Sequence, residues 1–297
     1  MRIVLTGGTG FIGRAWIRIA RRAGHSILAM SRRPPVHDSA ESTMWLAADL
    51  NNVASYDVAL LEFRPDAAVH LAWEGIPNYT FNNSLRNMTA GAQFAAQAFA
   101  AGCRRLVVGG SCWEYGSLRG SVEESDEPRR VGVFGACKTA QREVVTALAT
   151  AANASVAWAR IFYAYGPNQK SSSLAPSLCA DLIAGDVPKP RTPETINDFV
   201  YVDDVAEAIL TLVESEVPGI FNIGSGTGVT VAQFAAELAK AAGIAACDST
   251  GVVPYETAGL VADISKLTSL GWKPRTPLPT GIAETWSWFR REYQASC

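Results

Sequence analysis

The chain has 297 residues, 48% of them hydrophobic and 18% charged, with 28 acidic and 26 basic side chains giving a net charge of −2. That length can bury a large core, and the composition is not that of a disordered chain. The near-balanced, scattered charge excludes nucleic acid or an anionic membrane as the main expected partner.

The opening Met1-Arg2-Ile3-Val4-Leu5-Thr6 reads as a strand and not as a secretion signal. No apolar run reaches roughly 18 residues, so no membrane span is expected. The six cysteines, at 103, 112, 137, 179, 247 and 297, form no C-x-x-C pair. Reduced thiols in a cytoplasmic protein are the expectation.

Short apolar runs then alternate with amphipathic stretches, the pattern of a parallel sheet covered by helices. Strands are expected at 3–6, 26–30, 43–47, 67–70, 105–108, 156–160 and 219–223, and helices at 11–23, 53–63, 83–101, 132–152 and 202–214. Between 166 and 196 the chain carries Pro167, Pro176, Pro188, Pro190 and Pro193. Proline removes donors and clashes with the preceding turn, so this stretch is not one long helix. It is read as part of a smaller lobe, completed by 230–242 and the tail to Cys297.

Gly7, Gly10 and Gly13 follow the first strand with the spacing G-x-x-G-x-x-G and open a helix at Phe11 and Ile12. Glycine is required where the chain turns sharply and where backbone must approach a pyrophosphate, and the helix N-terminus adds free amides. The expected fold is a Rossmann-like, doubly wound parallel α/β sheet with a smaller C-terminal substrate-binding lobe. The second strand ends Met30-Ser31-Arg32-Arg33, with no acid before Asp38. A hydroxyl and two guanidiniums suit a 2′-phosphate better than a ribose diol, so NADP(H) is the expected cofactor. Asp49, next to Leu50, either reaches the adenine amino group or caps the helix beginning near Val53. Leu71 and Ala72 complete the expected cofactor contacts.

Several segments in order resemble the extended short-chain dehydrogenase/reductase family of nucleotide-sugar epimerases, dehydratases and reductases. They are His70-Leu71-Ala72-Trp73, Ser111-Cys112-Trp113-Glu114-Tyr115-Gly116 and Arg160-Ile161-Phe162-Tyr163-Ala164-Tyr165-Gly166-Pro167. Asp198-Phe199-Val200-Tyr201-Val202-Asp203-Asp204 follows, then Phe221-Asn222-Ile223-Gly224 and Leu270-Gly271-Trp272. The resemblance implies an NADP-binding lobe over 1–165, with 198–225 returning to it, and a nucleotide-sugar lobe over 166–197 and 226–297. It also implies a homodimer through the helices at 83–101 and 132–152. In the family a Ser bonds the sugar oxygen, a Tyr gives or takes its proton, and a Lys four residues later binds the nicotinamide ribose. Carried onto this chain these are Ser111, Phe134 and Lys138.

The phenol is missing. Four residues before the lysines at 138, 170, 189, 240, 266 and 273 stand Phe134, Gly166, Gly185, Ala236, Ala262 and Ser269, so no Tyr-x-x-x-Lys exists. Loss of a general acid typically lowers a rate about 10²–10⁴-fold. Three readings stand open: a substitution made to trap a substrate complex, a natural enzyme using Tyr115, Tyr163 or a bound water, and a binding protein without chemistry.

Trp73, Cys112, Trp113, Tyr163 and Arg191 join Ser111 as the expected substrate contacts. Glu114 reads as an exposed loop acid. Asp198, Asp203 and Asp204 read as caps at a helix start rather than a metal cluster. His25, His37 and His70 show no catalytic partner pattern. The expectation is an NADPH-dependent reduction of a nucleotide-linked 4-keto-6-deoxy sugar. An NAD(P)-dependent epimerase or a non-catalytic binding protein is the alternative. A dehydratase is disfavoured, since Cys-Trp-Glu after Ser111 lacks the Asp-Glu pair used for elimination.

Overall fold

The computed structural model describes residues 1–35, 43–244 and 259–296. In chain order, β1 (Arg2–Thr6) leads to α1 (Phe11–Arg22), β2 (Ser26–Ser31) and β3 (Thr43–Ala47). Next come α2 (Asp57–Phe63), β4 (Ala67–His70), α3 (Phe81–Ala100), β5 (Arg105–Ser111) and a short β6 (Gly120–Val122). The middle of the chain supplies α4 (Val133–Ala151), β7 (Ser155–Ile161), β8 (Tyr163–Tyr165), α5 (Leu174–Ile183), β9 (Ile196–Tyr201) and α6 (Val202–Ser215). The rest is β10 (Gly219–Ile223), β11 (Gly228–Thr230), α7 (Val231–Ala241), β12 (Leu260–Ala262), α8 (Ser265–Thr268) and α9 (Leu278–Ser296).

Seven strands form one parallel sheet in the order β10-β7-β5-β4-β1-β2-β3. Strands covered on both faces read as continuous apolar runs, which is why Ile3, Val4 and Leu5 are all fully buried. The alternation of side chains along β1 divides the core. Ile3 and Leu5 join Trp16, Ile17, Val205 and Ile209 on one face, while Val4 joins Leu60, Phe94 and Val145 on the other. The strand order reverses direction between β1 and β4, and α/β proteins of this kind open their ligand crevice at the carboxyl ends of those strands.

β8, β9 and β11 form a separate three-stranded sheet, and β12 pairs with β6. Asp198, expected to cap a helix, instead sits buried in β9. Its carboxylate accepts from the Ser225 amide and hydroxyl, the Gly226 amide and the Ala262 amide. Asp203 pairs with Arg18, and Asp204 accepts from the amides of Arg275 and Thr276. The residue that enters α6 is Tyr201, and no side chain caps it. These carboxylates fasten neighbouring segments to one another; each is matched by donors from outside its own strand or helix.

Two further differences have local causes. The helix expected over 53–63 is a 3₁₀ turn, Val53–Ser55, followed by α2, because Tyr56 adopts φ −147° between them. The proline-rich stretch does hold one helix, α5, with Pro176 in its first turn, where a missing N–H leaves no intrahelical bond unmade. Cys103, Cys112, Cys137 and Cys179 are buried free thiols. Cys247, Cys297, His37 and Asp38 lie outside the described residues. Among the described residues no helix is long and apolar enough to cross a membrane.

Candidate active site

The crevice gathers the ends of four strands. At the end of β1, Gly7 takes φ +78°, and its carbonyl accepts the Gly10 amide at 2.9 Å. A Cβ on Gly13 would fall 2.1 Å from the Gly7 oxygen, and one on Gly7 would fall 2.8 Å from the Ala72 amide. The loop is therefore pressed against both the helix behind it and the end of β4. No side chain caps α1, which leaves its first amides to an anion. Phe11 and Ile12 pack into the core beneath, and Leu50 packs on the opposite face of the sheet. A backbone cradle closed to any Cβ, with free amides at its mouth, fits a dinucleotide pyrophosphate.

At the end of β2, the Ser31 hydroxyl lies 3.1 Å from that of Thr9 and accepts the Arg33 amide. Arg32 is not free. Its guanidinium donates to Glu74 at 2.6 Å, and Glu74 also takes Arg86 at 3.1 Å. Asn87 holds the Glu74 backbone through both its amide and its carbonyl. The carboxylate thus sits on the guanidinium where a phosphate was expected. Asp49 does not cap the turn at Val53; its carboxylate binds the amide and side chain of Asn51. Those two bonds, helped by the charges of Arg32 and Arg86, hold it below the usual carboxylate range against the opposing effect of burial.

At the end of β4, Leu71 and Ala72 donate their amides to the carbonyl and hydroxyl of Thr6. His70 is buried against Thr6 and Phe94. Burial and the nearby Lys138 bring its pKa down to about 3, so the ring is neutral and structural. Past β4, residues 73–80 pass over the crevice. Trp73 lies under the ammonium of Lys138, 4.0 Å from ring centre to Nζ, and its indole N–H is buried with no acceptor among the described residues.

At the end of β5, Ser111 opens a 3₁₀ turn, Cys112–Tyr115, and accepts the Trp113 amide. Its own amide is held by Glu114. Glu114 is not an exposed loop acid: it is fully buried and takes bonds from Trp158 and Arg160 of β7. The turn folds back over β5, which sends the third residue of the turn inward. Ser-x-x-Glu is a capping box, and Ser111-Cys112-Trp113-Glu114 carried that signal.

α4 brings Phe134 and Lys138 onto one face, both buried. The Lys138 ammonium donates to the Gly109 carbonyl at 2.6 Å. Burial lowers its pKa to about 7, opposed by the negative charge of Glu114. Phe134 meets three rings: Trp73 at 5.2 Å, Trp113 at 5.9 Å and Tyr79 at 4.7 Å between centres. Tyr79 also packs on Trp113 at 4.8 Å. No motif in the sequence pointed to Tyr79; only the path of the loop after β4 brings it here.

Of the other candidate acids, Tyr115 is engaged elsewhere. The Tyr115 hydroxyl donates to the Glu123 carbonyl and sits 2.7 Å from the Asn222 side-chain oxygen. Burial pushes its pKa up to about 12. Tyr163 packs on Phe199, with its pKa raised by burial and then by Cys112. The Cys112 thiol is itself buried and pushed up. Arg191 lies exposed in the loop before β9.

A profile of the NAD dependent epimerase/dehydratase family matches residues 3–224. The chain is 26% identical to a dTDP-L-rhamnose 4-epimerase of Burkholderia thailandensis, over 98% of this chain and 95% of that protein. It is 28% identical to a dTDP-6-deoxy-L-talose 4-dehydrogenase (NAD(P)(+)) of Kitasatospora kifunensis, over 96% and 95%. Its structure superposes on that of MoeE5 in complex with UDP-glucose and NAD with a TM-score of 0.84 at 28% identity, covering 99% of this chain and 100% of that one.

Proposed function

Because this chain belongs to the NAD dependent epimerase/dehydratase family, we propose that it is a cytoplasmic NADPH-dependent reductase of a nucleotide-linked 4-keto-6-deoxy sugar. The observation that carries this reading is that Lys138 holds the Gly109 carbonyl, two residues before Ser111, and Phe134 meets the Trp113 ring, two residues after it. The β2 end that serves the same crevice offers Ser31, Arg32 and Arg33. A relative named for both NAD and NADP fits a reductase with exchangeable cofactor.

In this reading the glycine loop holds the pyrophosphate, Arg32 and Arg33 the 2′-phosphate, Asp49 the adenine, and Lys138 the nicotinamide ribose. When bound, the dinucleotide supplies a hydride to the sugar carbonyl. The Ser111 hydroxyl fixes the carbonyl oxygen, and Trp73 and Trp113 wall a weakly polar deoxyhexose. Residues 166–197 and 226–297 form the lobe that takes the nucleotide, with Arg191 toward its phosphates. Phe81 and Leu85 on α3 and Val133 and Val144 on α4 are exposed, and we assign that face to a homodimer contact.

The test gives the wild type and Phe134→Tyr NADPH or NADH and a panel of nucleotide 4-keto-6-deoxy sugars, following nicotinamide absorbance. Wild-type turnover with NADPH is expected, with Phe134→Tyr within about tenfold. Silence from both proteins would overturn the reading. An epimerase is the second reading, favoured by the rhamnose 4-epimerase relative; tightly held, non-exchanging NAD in the purified protein would select it.

Arg32→Ala should weaken NADPH about 10–100-fold, the worth of a charged hydrogen bond, and leave NADH within about threefold. Glu74→Gln should strengthen NADPH a few-fold, since Arg32 then no longer leaves a carboxylate partner to meet the phosphate. Equal losses for both dinucleotides in Arg32→Ala would remove Arg32 from 2′-phosphate recognition. Fluorescence titration measures both.

A further inference from the structure

Phe134 has no proton to give, and the residues that might replace it are sorted by what their polar atoms already do. Tyr115 donates into the Glu123–Asn222 pair beneath the turn. Tyr163 packs on Phe199, and its phenol oxygen is already held by the Trp113 side chain. Cys112 is a buried thiol, and the Lys138 ammonium is bound to the Gly109 carbonyl and lies over the Trp73 ring. Ser111 accepts the Trp113 amide and is the group that fixes the substrate oxygen in the reading above.

The phenol in ring contact with Phe134 itself is that of Tyr79. The Tyr79 ring lies against Phe134 and Trp113 at 4.7 and 4.8 Å, half-buried over the crevice. Its loop is pinned at several points. The Asn78 amide donates to the Gly75 carbonyl, the Asn83 side chain reaches the Asn78 carbonyl, and the Thr80 amide donates to the Asn78 side chain. Lys170, from the far side of the crevice, donates to the Ile76 carbonyl at 3.1 Å. A half-buried phenol held this way has its rotamer fixed by packing, as a reacting group requires.

We propose that Tyr79 is the catalytic acid of this chain, delivering from the loop after β4 the proton that a tyrosine at 134 would deliver from α4. The proposal rests on the reductase reading of the same site. The ketone is reduced by two electrons that arrive with the hydride of a dihydronicotinamide, which leaves oxidised. The carbon–oxygen π pair moves onto oxygen, the O–H bond of Tyr79 breaks, and the new O–H bond completes a secondary alcohol. The tyrosinate recovers its proton from water. Burial, and then the neighbouring Cys112, raise the Tyr79 pKa above the ordinary phenol value. The group is therefore fully protonated at neutral pH and active as an acid up to its own alkaline titration.

The experiment compares wild type, Tyr79→Phe and the double variant Tyr79→Phe/Phe134→Tyr. Tyr79→Phe should lower kcat about 10²–10⁴-fold, with NADPH affinity by fluorescence within about threefold of wild type. The double variant should recover at least tenfold of the loss, because it returns a phenol to the same cluster from α4. The alkaline limb of wild-type kcat/KM should coincide with the phenolate absorbance titration of wild type minus Tyr79→Phe, a readout that needs no turnover. A Tyr79→Phe enzyme within about threefold of wild type overturns the proposal. So does a loss that Phe134→Tyr does not recover, or one that comes with lost NADPH binding, either of which marks a packing residue. A silent wild type with an active Phe134→Tyr single variant overturns Tyr79 and leaves the reductase reading standing; silence from both fails that reading instead.

Discussion

Gly13→Ala should abolish dinucleotide binding, lowering affinity by more than about 100-fold, while the protein still folds. The added Cβ would stand 2.1 Å from the Gly7 oxygen, 2.9 Å from the Gly7 carbonyl carbon and 3.0 Å from the Gly8 Cα. All three are backbone, so no side chain can swing aside. Gly7 cannot retreat toward β4 either, because it already packs on the Leu71–Ala72 backbone. The remaining path lifts the loop away from α1, breaks the Gly10-to-Gly7 bond, and displaces the amides that would face a pyrophosphate. Overpacking of this kind costs about 1–3 kcal/mol of stability, a minority of the roughly 5–15 kcal/mol a domain holds. Thermal denaturation should therefore show a cooperative, modestly lowered transition beside a titration with no binding. Unchanged affinity would mean that the dinucleotide does not sit on this loop.

The sheet was legible because burial on both faces writes a strand as an unbroken apolar run. The expected strands at 43–47, 67–70 and 219–223 coincide with β3, β4 and β10. β5 runs on to Ser111 where an end at 108 was expected, since Gly109 and Gly110 look like a break in sequence. Here they are strand residues. A Cβ on Gly110 would lie 2.3 Å from the Trp158 indole nitrogen and 2.5 Å from a Glu114 oxygen, so glycine makes room for the buried pair. β6, β8, β11 and β12 escaped sequence reading because three residues show too little period to separate from a loop, and β9 because Asn197 and Asp198 interrupt its apolar run.

The candidate site was legible where motifs carry it and not where packing does. Ser111, Phe134 and Lys138 could be placed by spacing and resemblance. Tyr79 and Glu74 could not, because they reach the site from a loop whose path is fixed by bonds to Asn83, Asn87 and Lys170. Charge is incompletely legible in the same way. The Glu74 partner of Arg32 and the amides that hold Asp198 were not foreseen, because a sequence shows a charge without its partner.

Glu114→Ala should destabilise the fold by about 3–5 kcal/mol, the usual result of removing one partner from a buried ion pair. With an unfolding entropy of about 2.1 cal/mol/K per residue, that lowers Tm by roughly 5–8 °C. The reason is what remains behind. Arg160 is 2% exposed, and it would keep the neutral Glu124 carbonyl and Tyr115 but no carboxylate partner among these contacts. The Trp158 indole N–H and the Ser111 amide lose their acceptor as well. Glu114→Gln separates the chemical role from the structural one. The amide keeps the shape and an acceptor for Ser111, and it removes the negative charge that supports the Lys138 ammonium. Lys138 should then titrate below its present value of about 7. Cofactor binding that needs the ammonium is lost as pH rises through that pKa. The midpoint of NADPH affinity against pH should therefore shift to lower pH in Glu114→Gln, with Tm reduced less than in Glu114→Ala. An alanine variant that melts within 2 °C of wild type, about 1 kcal/mol on the same scale, would show that Arg160 finds water or another anion. A glutamine variant with an unmoved midpoint would confine Glu114 to holding the turn beneath Ser111.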